Sequence, residues 1–270
     1  MRTRVAFLGA GRIARALAGG LLRNEEDSWE LVASTRTRES GETFGRAFPQ
    51  ARLYPEERNR DLVQESQIIF LCVKPQEVRG VLQQIRPATA GKWIISVAAG
   101  ISLAAMAAEV APSARLLRAM PNLPSLLGRG VTPYCLGPGW GADDRERAKK
   151  LLQRFGEAVE IEERFFPLLT VLVGCGPAYF CAFLAPLFRF AAESGLPAAA
   201  ARRMLLATFS GTAELLKQTS LDPSEAVQES RTPGGITHAA LTILEEGEWQ
   251  ETLRRALDAA WSRAKTLEKT

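Results

Sequence analysis

The chain predicts two domains, a doubly wound α/β domain over residues 1–163 and an all-α domain over residues 164–270. Three observations carry that reading. Short β-like runs alternate with helical segments through the first part, the order that builds a parallel sheet flanked by helices. Its middle runs are apolar on both faces, as buried parallel strands are. From about residue 164 the strand-like runs cease, and alanine-rich stretches of helical spacing replace them.

The expected strands are "VAFLG" (5–9), "LVAS" (31–34), "IIFLCV" (68–73), "WIISVAA" (93–99), "RLLRA" (115–119), "VTPYCL" (131–136) and "AVEI" (158–161). Three long helices are expected beyond them, in "PAYFCAFLAPLFRFAAESG", "PAAAARRMLLATFSGTAELLKQT" and "EWQETLRRALDAAWSRAKTLEK". The first is apolar almost all round, so it belongs inside a bundle or a subunit interface, and the all-α half reads as a dimerisation domain. Pro186 is expected to kink it. Pro197, just after Gly195, marks a helix start behind a stop.

Composition narrows the function classes. The 270 residues are 46% hydrophobic and 24% charged, with a net charge of +4. The 34 Lys and Arg are dispersed among 30 acids, which argues against a nucleic-acid partner. Cys72, Cys135, Cys175 and Cys181 form no CxxC pair and fall mostly in apolar stretches, so buried free thiols in a reducing compartment are expected. With His238 the single histidine, no metal site is expected. Arg12 and Arg15 interrupt what would otherwise resemble a signal peptide. No apolar run is judged to reach the ~18 residues of a membrane span, and a cytoplasmic protein without a membrane partner is expected.

The most specific motif opens the chain. "VAFLGAGRIARAL" reads as a strand, then Gly9-x-Gly11-x-x-Ala14, then a helix. Gly9 permits the tight turn, Gly11 lets backbone N–H groups approach a pyrophosphate at the helix N-terminus, and Ala14 is small enough for helix to pack on strand. The first domain is therefore expected to be Rossmann-type and to bind a dinucleotide. An NAD-selective site places Asp or Glu at the end of the second strand, on the ribose 2′-hydroxyl. Here "ASTRTRE" supplies Ser34, Thr35 and Arg36, groups suited to a 2′-phosphate, so NADPH is favoured with NADH also admitted. Val73-Lys74-Pro75 and Ala98-Ala99-Gly100 end two further strands, where open α/β sheets bind ligands, and their small residues leave room for a nicotinamide ring.

The series "FLGAGRIARAL", "IIFLCVKPQ", "SVAAGIS", "RAMPNLP", "GRGVT", "VGCGPAYF" and "TPGGITHAALTILE" resembles the pyrroline-5-carboxylate reductase family along essentially the whole chain. The resemblance implies a Rossmann domain, a helical domain that interleaves with a partner subunit as a homodimer or a higher homo-oligomer, and NAD(P)H-dependent reduction of 1-pyrroline-5-carboxylate to L-proline. It implies a cofactor turn at Ala10, Gly11, Arg12 and Ile13, a 2′-phosphate region from Ser34 to Arg36, and cofactor contacts at Asn59, Val73, Lys74, Pro75, Ala98 and Asn122. Substrate contacts map to Glu163 and to the loop Thr232, Gly234, Gly235, Ile236 and Thr237. The turn of Gly174, Cys175 and Gly176 forms the opposing wall. Where the family usually has SGSGPAY and SPGGTT, this chain has VGCGPAY and TPGGIT.

Such chemistry needs no strong acid. A cyclic imine protonates near neutral pH, and the iminium needs mainly orientation over the nicotinamide. Pro233-Gly234-Gly235 ahead of a helix offers N–H groups to the substrate carboxylate, and Thr237 adds a hydroxyl as the catalytic candidate. His238 reads as structural. Two alternatives remain open at this point. One is a paralogue acting on another imine or a β-hydroxy acid, which would call on Lys217. The other is a non-catalytic NADPH-binding relative.

Overall fold

A computed structural model describes residues 3–23 and 29–268; Lys269, at the end of the expected last helix, lies outside them. The first part runs β1 (Thr3–Leu8), α1 (Arg12–Leu21), β2 (Trp29–Thr35), α2 (Arg38–Ala47), β3 (Arg52–Pro55), α3 (Asn59–Gln64), β4 (Ile68–Leu71), α4 (Pro75–Ile85), β5 (Trp93–Ser96), α5 (Leu103–Glu109), β6 (Arg115–Ala119), β7 (Gly130–Leu136), α6 (Ala142–Gln153) and β8 (Gly156–Glu160). These strands form one eight-stranded sheet of order β3-β2-β1-β4-β5-β6-β7-β8. Every pairing is parallel except β6 with β7.

All the expected strands are present, with ends shifted by a few residues. The addition is β3, which pairs with β2 at the sheet edge. Its sequence, "RLYP", is short, largely exposed and ends in proline, so it carries neither the apolar run nor the alternation by which a strand is read.

Strand period two sorts the core onto the two sheet faces. Phe7, Leu31, Phe70 and Ile95 pack with Ala14, Leu17 and Leu21 of α1 and with Phe44 of α2. Ala6, Leu8, Ile69 and Ile94 pack on the other face with Leu62 of α3, Leu82 of α4 and Met106 of α5. The order of connection reverses between β1 and β4, so the chain leaves these neighbours in opposite directions and opens a crevice at their C-terminal ends.

The remaining elements are α7 (Phe166–Leu169), α8 (Gly176–Glu193), α9 (Ala198–Thr219), α10 (Pro223–Glu229), α11 (Ile236–Glu246) and α12 (Trp249–Leu267), with a π-helical turn at Thr170–Gly174. Pro197 caps the start of α9, and Pro186 lies inside α8. The chain divides into two compact units, Met1–Pro177 with Ala260–Thr270, and Ala178–Ala259. Within the first, a side chain at Gly100 would strike the Leu267 carbonyl at 2.7 Å, so the smallness there serves packing of the C-terminal turn.

Two expectations are corrected. Glu163–Glu193 forms one helical run of 31 residues, within which an 18-residue stretch has a mean hydropathy of 2.0, long and apolar enough to cross a membrane. Its glycines and prolines suggest breaks in the sequence, yet the π-turn carries the helix past Gly174, and no charged residue falls between Arg164 and Arg189. The cysteines are all free, but only Cys135 is buried; Cys72 is half-buried, and Cys175 and Cys181 are exposed. The two exposed thiols belong to that same apolar run, little of which is covered within the chain.

Candidate active site

The crevice between β1 and β4 is a cleft of about 170 Å³, lined by Gly9, Ala10 and Gly11, by Ser34, Thr35 and Arg36, and by Asn59, Val73 and Lys74 among others. Its floor is set by Gly9, at φ +96°, where a side chain would meet the Cys72 carbonyl at 2.8 Å. Gly11 is the N-cap of α1 and makes no side-chain capping bond, and nothing lies within 4 Å of where its side chain would point. The N–H groups of the first turn of α1 thus open onto free space, as a pyrophosphate seat requires.

Asn59 lies in the same cleft and is almost wholly buried. Its Nδ2 donates to Gln84 Oε1 at 2.9 Å, while its Oδ1 is buried with no hydrogen-bond partner. A buried acceptor without a donor is costly, and a nucleotide hydroxyl or amine would satisfy it. The uncapped helix and the orphaned acceptor both fit a dinucleotide.

At the end of β2, Ser34 is buried and Arg36 projects outward. Arg36 Nη1 lies 2.6 Å from Glu77 Oε1, on the first turn of α4. Thr37 caps α2, its hydroxyl accepting from Ser40 N–H at 3.3 Å. Burial pushes the Cys72 thiol up, so it remains neutral beside the glycine turn.

Other expected cofactor residues lie outside this cleft. Arg12 and Ile13 occupy the first turn of α1, and Pro75 opens α4. Ala98 belongs to the core on one sheet face, and Ala99 packs beside Met120 and Phe166. Asn122 accepts the Val131 N–H at 3.2 Å and donates to the Val173 carbonyl at 3.4 Å, tying β7 to the π-turn. Conversely, Thr37, Ser40, Glu56, Glu77 and Val81 line the cleft without having been singled out. Thr37 carried a signal, a hydroxyl just ahead of a helix. Glu77 carried none, because its partner lies 41 residues away.

The substrate candidates fall in both units. In the first, Glu163 Oε1 accepts the Leu103 N–H at 2.7 Å and Arg118 Nη1 at 3.1 Å. Gly174 ends the π-turn against the Met120 sulfur, exposed Cys175 follows, and Gly176 is buried at the start of α8. In the second, Gly235 N–H closes a turn onto the Thr232 carbonyl at 2.9 Å, with Gly234 at φ +73°. Gly235 is the N-cap of α11 and makes no side-chain capping bond. Ile236 and Thr237 are exposed on the first turn. Arg231 anchors the loop, its Nε donating to His238 Nδ1 at 3.0 Å and its two Nη atoms to Glu245 at 2.8 Å each.

A parallel sheet that opens such a crevice at its order reversal, joined to a helical C-terminal half, defines the class as a Rossmann-type NAD(P)-dependent oxidoreductase. Residues 163–267 match the family described as pyrroline-5-carboxylate reductase dimerisation, and residues 4–100 match one described as NADP oxidoreductase, coenzyme F420-dependent. The chain is 33% identical over 267 residues to pyrroline-5-carboxylate reductase 3 of Mus musculus, covering 98% of this chain and 96% of that one. It is 31% identical over 271 residues to pyrroline-5-carboxylate reductase of Corynebacterium melassecola, covering 99% of each. The crystal structure of Plasmodium falciparum pyrroline carboxylate reductase with NADP bound superposes with a TM-score of 0.88 at 25% identity, covering 98% of both chains. That from Streptococcus pyogenes gives 0.86 at 28% identity, covering 98% of this chain and 99% of the other. The chain belongs to the pyrroline-5-carboxylate reductase family.

Proposed function

We propose that this protein is an NADPH-dependent pyrroline-5-carboxylate reductase, a cytoplasmic homodimer that reduces the cyclic imine 1-pyrroline-5-carboxylate to L-proline. The observation that carries the reading is the uncapped N-terminus of α11 behind Gly234 and Gly235, an anion seat in a chain of this family. NADPH, when bound, supplies the hydride that reduces the imine carbon. The chain's own task is to bind and orient. Gly9, Gly11 and Asn59 hold the dinucleotide, while Ser34, Thr35 and Arg36 face its ribose end. The N–H groups following Gly234 receive the substrate carboxylate, and the Thr237 hydroxyl donates to that carboxylate or accepts from the ring N–H. That nitrogen already bears its proton in the iminium form, so no strong side-chain acid is required.

Homodimerisation is supported by Phe180, Phe183, Leu187 and Phe190 of α8, exposed at helical spacing inside the region that matches the dimerisation family. The free state of all four cysteines supports a reducing compartment. The test is NADPH oxidation with pyrroline-5-carboxylate beside its six-membered and decarboxylated analogues. Preferred turnover of the five-membered, carboxylated imine is expected. Equal rates with the decarboxylated ring would remove the anion seat, and no oxidation of any imine would remove the function.

A further inference from the structure

Arg36 and Glu77 come from opposite sides of the crevice, one following β2 and the other on the first turn of α4 behind β4. Their charged atoms meet at 2.6 Å across the cleft that also holds Ser34 and the glycine turn. The two partners are not equally free. Glu77 Oε2 accepts the Lys74 N–H at 3.3 Å, which ties the carboxylate to the N-terminus of α4. Arg36 is the longer and more exposed side chain, at 56% against 27%. The guanidinium that reads as the 2′-phosphate group is thus already paired with an acid.

We propose that the Arg36–Glu77 pair is a cofactor selector, with Glu77 tempering the preference that Arg36 alone would give for a 2′-phosphate. This rests on the reading of the cleft as the NADPH site. In NAD-selective Rossmann sites an acid at the end of the second strand accepts the ribose 2′-hydroxyl. This strand has no such acid, and Glu77 brings one to the same place from another element. An unphosphorylated ribose leaves the pair closed and finds a carboxylate to donate to. A 2′-phosphate must draw Arg36 away from Glu77 and sit beside a fixed negative charge. The repulsion acts at a half-exposed site, where a few ångströms of separation correspond to about five- to tenfold in affinity. Both cofactors are therefore admitted, with NADPH ahead by less than an unpaired arginine would provide.

The test is calorimetric binding of 2′,5′-ADP and 5′-AMP, which differ at the 2′ position only, to the parent protein, Glu77→Gln and Arg36→Ala, with melting temperatures as a check on folding. Glu77→Gln keeps the shape and the hydrogen-bonding oxygen while removing the charge. It is expected to tighten 2′,5′-ADP about five- to tenfold, to change 5′-AMP by no more than about threefold, and to lose much of the gain at high salt. Unchanged or weaker 2′,5′-ADP binding by Glu77→Gln, with Arg36→Ala still selectively impaired, would overturn the selector and leave the cofactor reading intact. Undiminished 2′,5′-ADP binding by Arg36→Ala would overturn that reading and the selector with it.

Discussion

The guanidinium of Arg118, buried in β6, lies 3.1 Å from Oε1 of Glu163. Its second Nη reaches Glu268, beyond α12, and its face covers the Phe166 ring at 4.4 Å. One buried cation therefore gathers the strand, the start of the long apolar helical run and the C-terminal turn. Removing one member of a buried ion pair costs about 3–5 kcal/mol when the others stay buried. Here both carboxylates are partly exposed and regain water, so Arg118→Met is expected to cost about 2–3 kcal/mol, with Arg118→Lys falling between it and the parent. Urea unfolding measures this directly. A methionine variant as stable as the parent would show that the cluster contributes no net stability.

Alkaline pH should weaken the same unit. Burial, with Glu163 nearby, pushes the Cys135 thiol up to about 12, and burial with Glu160 pushes the Tyr134 hydroxyl up to about 12. In the unfolded chain these groups release their protons near pH ~8.5 and ~10. Above about pH 9 the unfolded state therefore binds fewer protons than the folded one, and stability falls as pH rises toward 12. Cys135→Ala should be less stable than the parent at pH 7 but show a shallower decline from pH 9 to 11. An unaltered slope would remove Cys135 as a source of the effect.

What was legible in the sequence was local. The glycine turn after β1, the apolar central strands and the Gly234-Gly235 turn ahead of α11 each rest on residues a few positions apart, where period and turn chemistry speak directly. The edge strand β3 was silent because an edge needs little apolar surface. Arg36 was visible as a cation after β2, but its partner Glu77 was not, since only the sheet order brings α4 alongside. Arg118 read as one polar residue in "RLLRA"; the carboxylates that justify its burial lie 45 and 150 residues further on. The length of the apolar helix was obscured by its glycines and prolines, yet the π-turn carries it through Gly174, and Pro167, Pro177 and Pro186 all fall within helix.

The exposed face of α8 sets the next expectation. Phe183 is 57% exposed and Phe190 71% exposed in the single chain. Burying such a side chain is worth about 2 kcal/mol, and a carboxylate in its place would have to be desolvated without a partner. Phe183→Glu should therefore shift light scattering from dimer toward monomer or aggregate, while nucleotide binding to the separate cleft is retained. A well-folded monomer of the parent at micromolar concentration would reject the dimer.

Thr237 provides the sharpest test of the substrate loop. Its side chain is exposed on the first turn of α11, and Gly235 leaves that turn without a side-chain cap. If the hydroxyl donates to the substrate, Thr237→Ala removes a charge-assisted bond of about 1.5–3 kcal/mol, roughly ten- to hundredfold in kcat/KM. Thr237→Ser keeps the donor and should retain most of the activity. NADPH affinity should hardly change, because the glycine turn and Asn59 belong to the other compact unit. A purely structural hydroxyl predicts the opposite pattern, a lower melting temperature with near-normal turnover in the cold. Measuring kcat/KM, NADPH binding and melting temperature on both variants separates the two cases, and an alanine variant with unimpaired turnover would end the substrate role of Thr237.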